Sequence, residues 1–135
     1  MPDATPTEDA PERKSLRILY ADDLPGLREV TRLALVADGH AVECVEDGFQ
    51  ARARLEPDLL AFDLVITDHH MPRANGVELV SWLRTVSFPG KILVVTSDLS
   101  PPIGDAYRRL HVDRIVYKPT CPSELRETVA ALTPA

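Results

Sequence analysis

Acidic, hydroxyl and amine side chains stand directly at the ends of four short apolar runs. Asp22 and Asp23 follow LRILYA, Asp68 follows DLVIT, Thr96 closes KILVVT, and Lys118 follows DRIVY. Three carboxylates that meet repel one another, and a bound cation relieves the repulsion. Oxygen ligands favour a hard ion such as Mg²⁺, and a lysine binds an anion as a point charge. The set therefore predicts a site for Mg²⁺ and a phosphoryl group.

A carboxylate can itself be the nucleophile in such a site and form an aspartyl phosphate. Asp68 is the expected nucleophile, because it would lie between the acid pair and the Thr96–Lys118 side. Each residue alone also has an ordinary interpretation: Asp22 and Asp23 as helix caps, the others as turn or solvated residues. Their coincidence at successive strand ends favours a shared site.

The elements that would position these residues alternate regularly. Strands are predicted at residues 16–21, 40–45, 63–67, 91–96 and 113–117, and helices at 25–38, 48–56, 76–86, 101–110 and from about 122. In the first helix, Leu27, Val30, Ala34 and Ala37 recur at helical spacing, and Gly39 stands where a left-handed cap belongs. Strands joined through helices pair in parallel by right-handed crossovers and are buried on both faces. This predicts an open, doubly wound α/β sheet that binds ligands at the carboxyl ends of its strands.

Composition narrows the classes of function. The chain has 135 residues, a net charge of −6 and a pI of about 5.1, which argues against a nucleic-acid partner. The two cysteines, Cys44 and Cys121, fit neither a disulfide framework nor a zinc pattern. The chain lacks an apolar run of membrane-spanning length, so a cytoplasmic protein is expected. The polar, acidic residues 1–15 are predicted to be a flexible arm, and residues 16–135 one domain.

Four motifs in register, YADD, DLVITDHHMP, VVTSD and VYKP, resemble the receiver domain of two-component response regulators. The resemblance implies a flavodoxin-like sheet of order 2-1-3-4-5. It implies that Asp68 accepts a phosphoryl group from a histidine kinase or a histidine phosphotransfer protein. Mg²⁺ would be held by Asp22, Asp23, Asp68 and the backbone carbonyl of His70. Thr96 and Lys118 would contact the phosphoryl oxygens, and a cis peptide would follow the lysine.

The sequence departs from that family at three places. His111 and Val112 stand where the family has a Gly-Ala pair. Ile115 stands three positions before the lysine, where the family has an aromatic switch residue, which puts the usual switch in doubt; Tyr117, on the same strand face, could substitute.

The third departure is the histidine pair after Asp68. We interpret His69 as solvated, whereas His70 borders the phosphoryl group in this family and could tune the hydrolysis of the acyl phosphate. A metal site made by the two histidines is disfavoured, since neighbouring residues rarely point at one ion.

The expected function is a stand-alone receiver, because few residues follow the last helix. It would signal through contacts with partner proteins and is not expected to be an enzyme. The expected surface, which could also form a homodimer, comprises the last two helices and the fifth strand, where charges of both signs mix. Two alternatives are a phosphorylation-independent adaptor, suggested by Ile115, and an aspartyl-phosphate phosphatase. The phosphatase is disfavoured because a second acid is absent two residues after the nucleophile.

Overall fold

A computed structural model describes residues 15–133 as a five-stranded parallel sheet of order β2-β1-β3-β4-β5. The strands are β1 (Arg17–Ala21), β2 (Ala41–Val45), β3 (Leu64–Asp68), β4 (Lys91–Thr96) and β5 (Arg114–Tyr117). This confirms the predicted fold class and strand order. The predicted arm lies almost entirely outside the described residues. Within residues 15–133, no helix is long and apolar enough to cross a bilayer.

Five α-helices connect and cover the strands: α1 (Pro25–Ala37), α2 (Gly48–Leu55), α3 (Gly76–Thr85), α4 (Pro101–Arg109) and α5 (Pro122–Leu132). A short 3₁₀ helix, Leu59–Ala61, precedes β3. Local chemistry sets several of these boundaries. Asn75 and Glu78 form a reciprocal capping box at the start of α3. Gly39 has a φ of 94° after α1, as predicted for a left-handed cap.

Two apolar clusters, one on each side of the sheet, form the core. One contains Leu19, Val65 and Val94 with residues of α2, α3 and α4, and the other contains Ile18, Ile66 and Leu93 with residues of α1 and α5. The inner strands β1, β3 and β4 are almost wholly buried, as predicted. The edge strands β2 and β5 are only half-buried, because each has a neighbour on one side alone.

The apolar face of α1 differs from the face that its periodicity suggests. The helix buries Thr31 and Leu35, whereas Leu27 and Val30 are exposed. Leu24, Leu33 and Val36 are exposed as well, at 51%, 53% and 42%. Helical spacing therefore located the helix correctly but did not show which side faces the core. The helix leaves an apolar surface uncovered, which we call the α1 face: Leu24, Leu27, Val30, Leu33 and Val36.

Candidate functional site

Three carboxylates meet at the carboxyl ends of β1 and β3. One oxygen from each of Asp22, Asp23 and Asp68 lies within 4.8 Å of the others. Asp22 and Asp68 are buried, at 1% and 6% exposure, and Asp23 is half-buried. The parallel pairing of β1 with β3 places these strand ends side by side. The three residues that the sequence assigned to one acidic site are therefore brought together.

Asp22 is held by groups on its own segment. The Tyr20 hydroxyl donates to Asp22 Oδ2 at 2.6 Å, and the Leu24 backbone N–H donates to Asp22 Oδ1 at 3.0 Å. Burial, reinforced by the hydrogen bond to Asp22, raises the pKa of Tyr20, so the phenol stays a donor. Leu24 is the residue that precedes α1, and no side chain caps that helix. Asp22 therefore closes a two-residue turn rather than capping α1.

Asp68 has a different partner on each oxygen. The backbone N–H of His69 donates to Oδ1 at 2.7 Å, and Lys118 Nζ donates to Oδ2 at 2.8 Å. Lys118 Nζ is also 3.9 Å from Asp22 Oδ2. Lys118 and the Arg28 guanidinium, whose Nη1 donates to the Asp22 carbonyl at 2.7 Å, bring two positive charges to three carboxylates, which leaves net negative charge at the site. Hard, all-oxygen donors with excess negative charge fit Mg²⁺.

Thr96 and Lys118 occupy the neighbouring strand ends. Thr96 is 1% exposed, and its Oγ1 accepts the backbone N–H of Asp98 at 3.0 Å. The Lys118 backbone N–H donates to the Thr96 carbonyl at 2.8 Å, which ties the end of β5 to the end of β4. The Lys118–Pro119 peptide is cis, as the family resemblance implied. The hydroxyl and the ammonium therefore lie on adjacent strands at the same edge as the acids.

His69 is buried, and its interpretation as a solvated residue is wrong. The side chain is 4% exposed, and its Nδ1 lies 2.6 Å from the hydroxyl of Tyr107, with which it shares a hydrogen bond. Tyr107, from α4, is itself fully buried. Burial lowers the pKa of His69, and the adjacent His70 lowers it further, so the imidazole is neutral near pH 7. Burial also raises the pKa of Tyr107, with the charge of Asp68 as a second cause.

A glycine makes room for this buried pair. A Cβ on Gly76 would lie 2.2 Å from the Tyr107 hydroxyl and 2.7 Å from the Asp68 carbonyl. The Gly76 backbone N–H donates to the His69 carbonyl at 2.9 Å. The first residue of α3 therefore packs directly against both the phosphoacceptor candidate and the tyrosine. The spacing of Ile103, Tyr107 and Leu110 is that of a helical apolar stripe, but nothing in the sequence indicated the polar partner of the tyrosine.

His70 is exposed and faces a carboxylate from the next loop. Its Nε2–H donates to Asp98 Oδ2 at 3.0 Å, and the His70 side chain is 66% exposed. Asp98 also accepts the backbone N–H and the hydroxyl of Ser100 on Oδ1. These bonds from Ser100, with a smaller contribution from His70, lower the pKa of Asp98 to about 2. Asp98 was not among the predicted site residues.

The two candidates for a switch residue on β5 have different environments. Ile115 is half-buried and packs against the core cluster on the α2–α4 side. Tyr117 is 41% exposed and pairs across the strands with Thr96. Its hydroxyl lies 3.6 Å from the position that a Cβ on Gly104 of α4 would take. The aromatic ring at the end of β5 therefore leans on α4 rather than filling the core.

An apolar cavity of about 410 Å³ adjoins the acidic site. Its lining includes Lys118 and the cis proline Pro119, together with Leu27 and Val30 of the α1 face. Ser97 and Cys121, at the start of α5, also line it. Part of the α1 face and Lys118 therefore border one surface depression.

Comparison with known proteins gives a consistent result. The family model described as the response regulator receiver domain matches residues 18–130. The sensory/regulatory protein RpfC of Xanthomonas campestris is 32% identical over 124 residues, which is 88% of this chain and 17% of that protein. The two-component response regulator ORR41 of Oryza sativa is 32% identical over 115 residues, which is 84% of this chain and 91% of that protein.

Among solved structures, the chemotaxis response regulator CheY4 of Vibrio cholerae superposes with a TM-score of 0.80 at 27% identity, covering 88% of this chain and 99% of that one. The chain spans only 13% to 50% of the length of several other curated relatives. The family model and the superposed structure each match more than four-fifths of this chain, which is sufficient to assign its family. The chain belongs to the response regulator receiver domain family.

Proposed function

We propose that the chain is a phosphoacceptor in a two-component phosphorelay and that Asp68 carries the phosphoryl group. One observation above all supports this proposal. The Asp68 carboxylate lies at a strand end, 2.8 Å from Lys118 Nζ and within 4.8 Å of two further carboxylates. This arrangement combines a nucleophile, a cation for the incoming anion and oxygen donors for a metal ion.

The proposed reaction is an in-line transfer. A carboxylate oxygen of Asp68 attacks the phosphorus of a phosphohistidine, the P–N bond breaks, and the leaving imidazole takes up a proton. Lys118 shifts from the carboxylate to a phosphoryl oxygen, while the Thr96 hydroxyl donates to another. Asp22, Asp23, Asp68 and the His70 carbonyl would hold Mg²⁺, which neutralises phosphoryl charge when bound. The chain's own residues thus position the acceptor and stabilise the transferred anion.

Receiver domains are signalling domains, and we propose that this one catalyses no turnover of external substrates. An aspartyl-phosphate phosphatase needs a general acid close to the nucleophile. The residue two positions after Asp68 is His70, whose exposed imidazole is engaged with Asp98. The site is therefore better suited to storing a phosphoryl group than to transferring many in succession.

We place the docking surface for the phosphoryl donor on the α1 face. Four exposed apolar side chains of α1, with Leu24 directly before it, form the α1 face, and exposed apolar patches mark protein interaction sites. Leu27 and Val30 share a cavity with Lys118, so a partner seated there would have its phosphohistidine beside Asp68. The proposed occupant is an apolar helix of a histidine kinase or of a histidine phosphotransfer protein.

A stand-alone, cytoplasmic receiver is the form that we propose. The match to ORR41 over 91% of its length and to CheY4 over 99% supports a regulator of this size. For self-association we propose the surface made by α4, β5 and α5. Two of its arginines already have partners within the chain, since Arg108 pairs with Asp105 and Arg126 pairs with Asp38, directly after α1. Arg109 and Arg114 are exposed and carry the charge that a second copy would meet.

Phosphorylation is tested with a small donor. The protein is incubated with acetyl phosphate and Mg²⁺, and intact mass is measured beside Asp68→Asn and the exposed-acid control Asp105→Asn. We expect one phosphoryl group on wild type and on Asp105→Asn, and none on Asp68→Asn. Equal modification of Asp68→Asn, or no modification of wild type, would contradict the proposal and favour the adaptor suggested by Ile115. Steady release of phosphate over many turnovers would favour the phosphatase instead.

The docking surface is tested by comparing two donors. Val30→Glu on the α1 face (51% exposed) is paired with Leu60→Glu, a more exposed apolar residue (68%) in the 3₁₀ helix before β3. We expect Val30→Glu to slow transfer from a phosphorylated histidine phosphotransfer protein by tenfold or more. A tenfold change is equivalent to about 1.4 kcal/mol. Reaction with acetyl phosphate should be unchanged. Equal transfer to both variants would contradict this docking site without affecting the assignment of Asp68.

A further inference from the structure

We propose that His69, His70 and Asp98 form a second metal site, which binds one divalent transition-metal ion of the zinc class and is separate from the carboxylate cluster. One imidazole nitrogen from each histidine and one carboxylate oxygen of Asp98 lie within 4.8 Å of one another. The site joins the loop after β3 to the loop after β4. It does not depend on the phosphoacceptor role of Asp68.

The two adjacent histidines can both contribute to one site, although neighbouring residues rarely do. Side chains of consecutive residues usually diverge, which is why the sequence disfavoured a metal site here. In the fold, however, the two rings lie with their centroids 4.7 Å apart and their planes at 71°. Asp98 then brings a third donor from a segment 28 residues away. This convergence could not be seen from the spacing of the histidines alone.

His69 is oriented for binding by a buried partner. Metal-binding histidines typically use their second ring nitrogen in a hydrogen bond that fixes the tautomer and the ring. Nδ1 of His69 has such a bond to the Tyr107 hydroxyl at 2.6 Å, inside the core. In the tautomer that donates Nδ1–H to Tyr107, Nε2 carries the lone pair that a metal ion needs. In that tautomer the hydroxyl accepts from His69 and fixes the ring, the orienting role that carboxylates serve in many metal sites.

Asp98 and His70 complete the set from the solvent side. Ser100 holds Oδ1 of Asp98 with two hydrogen bonds, which directs Oδ2 toward His70 at 3.0 Å. Because the His70 side chain is 66% exposed, an ion can reach the site from solvent by displacing the proton shared by His70 and Asp98. The site has one buried, one exposed and one half-exposed ligand, so water can fill the remaining coordination positions.

The donor set selects the class of ion. Two imidazole nitrogens and one carboxylate oxygen suit zinc and its neighbours in the first transition series, whereas Mg²⁺ prefers oxygen alone. The two sites should therefore bind different ions at the same time. An ion at the second site would tie the loop that follows the phosphoacceptor to the loop that begins α4.

The test is a Zn²⁺ titration of the full chain in excess Mg²⁺, which keeps the carboxylate cluster occupied. Binding is measured by calorimetry, and the four histidine rings are followed by ¹H–¹⁵N NMR. His70→Ala and Asp98→Asn remove surface ligands and should leave the fold intact. His111→Asn is the matched control, because His111 is exposed and its left-handed backbone tolerates asparagine. Cys121→Ser controls for binding by the exposed thiol.

We expect one Zn²⁺ per chain, with ring signals of His69 and His70 perturbed and those of His40 and His111 unchanged. His70→Ala and Asp98→Asn should each weaken binding about tenfold or more, the size of effect that loss of a metal-supporting group produces. The two controls should bind like wild type. Affinity unchanged by His70→Ala or Asp98→Asn, binding lost in Cys121→Ser or His111→Asn, or no saturable binding at all would each overturn the proposal.

Discussion

Replacing Tyr107 with phenylalanine removes one hydroxyl from the core and leaves the ring in place. That hydroxyl lies 2.6 Å from Nδ1 of His69, and both side chains are buried, at 0% and 4% exposure. Phenylalanine retains the ring's apolar contacts in the core cluster, so the hydrophobic contribution of the side chain is nearly unchanged. The substitution therefore isolates a single buried hydrogen bond between α4 and the segment after β3.

The expected cost follows from what the deletion leaves behind. A net hydrogen bond contributes about 1 kcal/mol, but a buried polar group left without its partner costs roughly 1–3 kcal/mol. Solvent has little access to His69, so we expect a loss toward the middle of this range, about 2 kcal/mol. For a domain of this size, that loss corresponds to a fall in Tm of roughly 8 °C.

The measurement is urea unfolding followed by far-UV circular dichroism, with Tyr117→Phe as the control. Tyr117 is 41% exposed, so its hydroxyl should be worth less than about 0.5 kcal/mol. In a double-mutant cycle with His69→Leu, the double variant should be more stable than the sum of the single losses predicts, by about 1 kcal/mol or more. A Tyr107→Phe variant as stable as Tyr117→Phe would refute the idea that this bond joins α4 to the site.

Three further perturbations test the surroundings of the site. Gly76→Ala places a Cβ against backbone and should destabilise by about 1–3 kcal/mol or more in urea unfolding, whereas Gly26→Ala, with nothing within 4 Å, should be neutral or stabilising. Ser100→Ala should raise the pKa of Asp98 from about 2 toward its ordinary 3.8. The lowered pKa of Asp98 stabilises the fold at pH values above the pKa that Asp98 has in the unfolded chain, and this stability is lost as the pH falls from about 4 to 2. In Ser100→Ala that loss should become shallower, and carboxyl NMR measures the pKa of Asp98 directly. His70→Ala and His70→Asn should each change the rate of autodephosphorylation; identical rates would rule out a role for the ring.

The fold class could be predicted from the sequence because the apolar patterns that mark each strand and each helix are local. Alternating apolar runs and helical segments predict parallel strands joined by right-handed crossovers, and the resemblance to receiver domains added their order. The acidic residues at the ends of β1 and β3 meet because these two strands are neighbours in the sheet. The boundaries predicted for strands and helices agree with the structure to within about two residues, the usual scatter at element ends.

The errors came from contacts that periodicity does not encode. The stripe of Leu27 and Val30 located α1, yet the orientation of the helix on the sheet buries Thr31 and Leu35 instead. His69 was interpreted as solvated because its hydrogen-bond partner, Tyr107, is 38 residues away along the chain. Each error concerns a rotation or a pairing that is fixed by packing between distant segments.

The sequence by itself determined the alternation of strands and helices, the strand-end carboxylates, the lysine and the motifs that resemble receiver domains, because residue types and their order along the chain specify these features. The strand order was an implication of that resemblance, and the structure confirms it. Only the tertiary structure decided which face of α1 is uncovered, that His69 is buried against Tyr107, and that His70 meets Asp98. Those features depend on how helices settle against the two faces of the sheet, where many small packing energies compete. The acidic site is thus a consequence of topology, whereas the histidine site is a consequence of packing.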